Sequence, residues 1–142
     1  MCYNQFGVNS MKTHVLRLTK GNDLKCSIDE YFIANNIKAG VIITCVGCVY
    51  ELRIRLADGV SELFLKNNYE IVSLTGTYSR DGSHLHISVS DVEGKTIGGH
   101  LKEGTLVNTT AELVLAELVG YELTREFDTN TGYDELVIEE IK

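Results

Sequence analysis

Apolar and polar residues alternate along most of this chain, and that period of two predicts a β-rich fold. Residues 70–79, 84–91 and 96–101 read as three strands of a meander, joined by turns at Arg80-Asp81-Gly82-Ser83 and Val92-Glu93-Gly94-Lys95. Successive side chains of a strand point to opposite faces, so His84, His86, Ser88 and Ser90 share one face and Leu85, Ile87 and Val89 the other. Residues 13–18 alternate Val15 with polar neighbours as a first strand, which places His14 on the surface. Lys20-Gly21-Asn22-Asp23 is a turn ending in an N-cap, Asn22 or Asp23. Leu24, Ile28, Tyr31 and Phe32 then recur at helical spacing until Asn35-Asn36. Residues 40–56 form the longest β-rich run, with a bulge or bend expected at Gly47. Ala57-Asp58-Gly59 is a turn before a short strand at 61–66, and residues 121–127 and 135–141 are closing strands around a loop. Residues 109–118 are ambiguous: their Ala, Glu and Leu favour a helix, yet Ala111, Leu113 and Leu115 alternate with polar neighbours.

The length of 142 residues, with 44% hydrophobic and 23% charged, is that of one globular domain, assigned to 11–142. Residues 1–10 are polar and aperiodic and read as a flexible leader. No apolar run approaches the ~20 residues of a membrane helix, so the expectation is a soluble, cytoplasmic protein with no membrane partner. The net charge of −7 disfavours nucleic-acid binding across the surface, which needs cations against phosphates. Cys45-Val46-Gly47-Cys48 has metal or redox spacing, but it lies in a strand and no second pair completes a zinc site. Cys2, Cys26, Cys45 and Cys48 are read as buried thiols of a reducing compartment.

The chemistry concentrates in one place. Three of the four histidines, His84, His86 and His100, fall in the meander. Imidazoles at i and i+2 on one strand face, with a third from the adjacent strand, suit a divalent metal, zinc first. The competing reading is that His84 and His86 are polar residues of a solvated sheet face and His100 a loop residue. Glu70 begins the preceding strand and is either an edge carboxylate or part of an intersubunit salt bridge or, next to such a metal, a general base or the partner that holds a ligating imidazole. Asp91 alternates to the opposite face from His86 and is set aside. Gly98-Gly99 permits close backbone approach or positive φ beside the site, where a small ligand would bind. Gly94-Lys95-Thr96 imitates a phosphate loop, but Val89 holds the required upstream glycine position.

Several segments in order resemble the PPC domain, the "plants and prokaryotes conserved" family. They are Arg17 and Gly21-Asn22-Asp23-Leu24, Tyr69-Glu70-Ile71-Val72-Ser73-Leu74-Thr75-Gly76, Asp81-Gly82-Ser83-His84-Leu85-His86, Gly98-Gly99-His100-Leu101, Gly104, and Thr131-Gly132-Tyr133-Asp134-Glu135-Leu136. The resemblance implies an α/β fold of the α+β type, a curved and mostly antiparallel sheet with one or two helices, associating as a homotrimer. It makes 109–118 a strand, and it implies zinc on His84, His86 and His100. Plant members add an AT-hook rich in Arg, Gly and Pro; this chain has no proline and hence no hook. Where plant members carry Gly-Arg-Phe-Glu-Ile-Leu, Asn67-Asn68-Tyr69-Glu70-Ile71-Val72 stands here, without that glycine and arginine. The expectation is a homotrimeric zinc-binding protein with a small-ligand or regulatory role. The alternatives are a DNA-associated scaffold with structural histidines and a metal-dependent enzyme using Glu70 as acid or base.

Overall fold

The structure, a computed structural model, describes residues 10–141. The elements are β1 (Met11–Thr19), α1 (Leu24–Ala34), β2 (Gly40–Arg55), β3 (Glu62–Ser79), β4 (Gly82–Ser90), β5 (Thr96–Leu101), β6 (Leu106–Leu118), β7 (Tyr121–Asp128) and β8 (Tyr133–Glu140). The ambiguous segment is a strand, and one α-helix is found among the described residues. The expected leader lies, but for Ser10, outside them.

Six strands form one antiparallel sheet in the order β1-β6-β2-β3-β4-β5, and β5 also pairs with the far end of β2. The sheet therefore curls until its β5 edge meets β2, which covers backbone groups that an open edge would leave unpaired. Gly47 makes the curl feasible: β2 shifts register against β6 between Gly47 and Val49, and Gly47 has φ +141°. A Cβ there would lie 2.1 Å from the Thr110 carbonyl oxygen. The two strands expected at 61–66 and 70–79 are one continuous β3, because the irregularity between Val49 and Glu51 absorbs the offset at Asn67-Asn68.

The concave side of the sheet encloses the core. Leu85, Ile87 and Val89 of β4 meet Leu52, Ile54, Leu101, Val107, Leu113 and Leu115 there, all buried. α1 closes the core with Leu24, Ile28 and Phe32, fully buried. Its N-cap is Asp23, whose carboxylate accepts from the Cys26 N–H at 3.0 Å and the Gly104 N–H at 2.6 Å. The cap thus ties the helix to the turn after β5 as well as satisfying its first turn.

The first strand reverses the expected face. Val15 is 76% exposed, while His14, Leu16 and Leu18 point inward. Two leucines outweigh one valine in deciding which face is buried. His14 is therefore not a surface residue. Its Nδ1 lies 3.0 Å from the Tyr31 hydroxyl of α1 and its Nε2 3.7 Å from Glu117. Cys45 is buried in β2 and burial pushes its thiol up to about 12, so it is an inert core group, whereas Cys26 and Cys48 are only half-buried, against the reading of buried thiols, and Cys2 lies outside the described residues.

Candidate metal centre

Strand register brings the three histidines together. His86 pairs with His100 across β4 and β5, and His84 lies two residues along β4 on the same face. Directly cross-strand side chains share a face. The Nε2 atoms of His84 and His86 are 3.2 Å apart, and a ligating nitrogen from each of the three rings lies within 4.8 Å of the others. No other such cluster of three occurs among the described residues.

The neighbouring elements hold this corner in place. The Ser83 N–H donates to Asp29 of α1 at 3.0 Å, fixing the start of β4 just before His84. Gly98 and Gly99 sit where strands crowd: a Cβ on Gly98 would meet the Ile87 carbonyl at 2.5 Å, and one on Gly99 the Arg55 carbonyl at 2.6 Å. Close backbone approach, the first of the two roles expected for this pair, is their function; neither has positive φ.

The β7–β8 hairpin leans over the triad. The Arg80 N–H donates to the Leu123 carbonyl at 2.9 Å and the Arg125 N–H to the Asp81 carboxylate at 2.7 Å, so the β3–β4 turn carries the hairpin. Tyr133 and Arg125 thereby reach the clefts around the histidines. A first cleft of about 440 Å³ is bordered by His86, His100, Arg55 and Tyr133, and a second of about 360 Å³ by His84, His100, Arg55 and Arg125. A smaller one lies between His84, His86 and Thr75-Gly76-Thr77. The triad is where the three meet.

Burial first, then the charges of Arg125, His86 and Arg55, lower the His84 pKa. Burial first, then Arg55 and the other two histidines, push His100 down to about 4. Both rings are thus neutral at neutral pH, the form that ligates metal. The Nδ1 of His100 is buried without a hydrogen-bond partner, which is costly for a polar atom unless something else engages it. Tetrahedral ligands at the zinc–nitrogen distance of about 2.0–2.1 Å are about 3.4 Å apart, close to the His84–His86 separation. The donor set fits a zinc-sized ion.

Other expected residues fall elsewhere. Glu70 pairs with Ser90, four positions along β4 from His86, or about 13 Å at ~3.3 Å per residue. It is not brought to the triad within one chain. Asp91 serves its own turn, accepting from the Glu93 and Lys95 N–H groups at 2.9 Å. Arg55, Arg125 and Tyr133 escaped the sequence reading. Tyr133 stood in a segment that carried the family resemblance, but Arg55 has only its register opposite His100 to mark it.

Comparison with known proteins places this arrangement. The bifunctional protein GlmU of Synechococcus sp. (strain JA-3-3Ab) is 40% identical over 132 residues, 93% of this chain. The chain spans only 21% of that protein's length. A hypothetical protein from Salmonella has a solved structure with TM-score 0.90 and 33% identity, covering 94% of this chain and 97% of its own. The metal-containing protein AF0104 of Archaeoglobus fulgidus matches with TM-score 0.73 and 25% identity, over 93% of this chain and 99% of its own. Residues 5–119 match the Plants and Prokaryotes Conserved (PCC) domain, and the chain belongs to that family.

Proposed function

We propose that this PPC domain is a zinc-binding protein whose metal is held by His84, His86 and His100. The observation that carries the reading is the convergence of three imidazoles, one with a buried, unpartnered nitrogen, on one point at the meeting of three clefts. The metal-containing Archaeoglobus relative supports it. Zinc held by three imidazoles keeps a fourth position for a ligand oxygen and supplies a Lewis acid there. Elemental analysis of purified, tag-free protein tests this: about one zinc per chain is expected, and protein that stays zinc-free after incubation with zinc would contradict it.

The active form is a homotrimer. Val15, Ile43, Val46 and Val72 are large apolar residues left exposed on the sheet, the kind of surface that self-association buries. Light scattering should report a mass near three chains, and a stable monomer at micromolar concentration would overturn the assignment. Duplex DNA should associate only weakly and with strong salt dependence, since the net charge is −7. A sequence-selective complex at physiological salt would instead favour a regulatory role on DNA.

A further inference from the structure

In a chain with 20 acidic against 13 basic residues, the first cleft beside the triad is bordered by one arginine and by no carboxylate, whereas the second cleft, which shares that arginine, is also bordered by Asp81, Asp134 and Glu135. That arginine, Arg55, stands directly across from His100 in the β2–β5 pairing. Its Nη1 donates to the Gly59 carbonyl at 3.1 Å, which holds the guanidinium while leaving further N–H donors free. Among the described residues no carboxylate lies within ion-pair distance of it. Asp58, on the adjoining turn, feels the Arg55 charge, but its oxygens bond Ser61 and the Val60 and Ser61 N–H groups. Tyr133 closes the cleft from the hairpin, near enough to the turn that a Cβ on Gly59 would lie 2.8 Å from its hydroxyl. Leu56 and Ala57 supply an apolar wall.

An anchored guanidinium with no carboxylate in ion-pair contact, facing His86 and His100 across a small cleft, is a receptor for an oxyanion. Two features select a carboxylate over a phosphate. The cleft offers one cationic side chain, matching a single negative charge. It also lacks the helix N-terminus that many phosphate sites use: the N-cap of α1, Asp23, sits beside Gly104 and is not among the residues that border the cleft. We propose that Arg55 binds the carboxylate of a small organic acid in this cleft, with Tyr133 as a second donor and the acid's other oxygen functions directed at the histidine triad. This rests on the metal reading above only for that last contact.

Calorimetric titration of glycolate, and separately of inorganic phosphate, into zinc-loaded protein tests it, with zinc content measured on every sample. Glycolate is expected to bind saturably and more tightly than phosphate. Arg55→Gln should weaken it about tenfold or more, the usual worth of a hydrogen-bonded charge pair, with zinc content unchanged. Tyr133→Phe, which keeps the ring, should weaken it severalfold and guards against a folding defect at Arg55. Lys66→Gln, an exposed cation paired with Glu51 and outside the lining of the cleft, should leave glycolate affinity unaltered. Tighter phosphate binding, equal loss at Lys66, or glycolate affinity indifferent to Arg55 would each overturn the proposal. Absence of zinc in all samples would instead refute the metal centre. Glycolate titrated into that metal-free protein would still have to depend on Arg55.

Discussion

The two faces of β4 divide the labour of this protein. Leu85, Ile87 and Val89 are buried in the core, while His84 and His86, alternating with them along the strand, face away from it. One face is packed into the core and the other presents imidazoles that the core does not use. β4 places two of the three imidazoles, and pairs with the third on β5, accurately because its other side is locked by apolar packing.

Breaking the inner face should have the largest effect on stability. Leu85→Ala should cost about 2–5 kcal/mol, read as a lower denaturant midpoint at unchanged slope, and metal should be lost only as the protein unfolds. A near-neutral result would mean that β4 does not anchor the site.

His14→Ala comes next and sharpens the contrast from a histidine that is not on the outer face. It removes a buried ring and leaves the Tyr31 hydroxyl unpartnered, so about 1–3 kcal/mol of stability should go while zinc content stays unchanged. Loss of zinc with retained stability would reverse the assignment of the two kinds of histidine.

A smaller effect follows from pH. His100 is held down to about 4 by burial and by Arg55, against an ordinary value near 6.5 in the unfolded chain. Between these values the unfolded state binds more protons, so stability rises with pH there. The contribution is complete above about pH 6.5 and is lost as pH falls towards 4. Melting curves of metal-free protein should show a steeper decline over that window than those of His100→Gln; parallel declines would contradict the cause given. The lowered values for His84 and His100 also predict that zinc is retained somewhat below the pH expected of unperturbed imidazoles.

The smallest effect is at Cys45. Its buried thiol, pushed up to about 12, should resist alkylation in the native protein and react only on unfolding. Rapid native labelling would show that β2 opens.

How far these features could be read in the sequence depended on whether the deciding contacts are local. The period of two in 84–90 and the i,i+2 histidines are local, and both faces of β4 were legible from them. His100 was reachable because a single turn separates β5 from β4. Residues 109–118 were settled by resemblance and not by propensity, since their helix-forming residues are overridden by pairing with β1 and β2 on either side. His14 was misplaced because its partner, Tyr31, lies 17 residues away on the helix. Arg55 was invisible for a related reason: only the closure of β5 onto the end of β2 sets it against His100, and nothing in the alternation of β2 announces that closure.

The central claim, that the outer face of β4 and its neighbour β5 hold a metal, is tested most directly by zinc titration of metal-free protein. Wild type should take up about one zinc per chain. The double replacement His84→Ala/His86→Ala should lower affinity at least about 100-fold, because two of three ligands are gone, with its metal-free melting temperature close to wild type. Undiminished zinc affinity in a folded double variant would contradict the site.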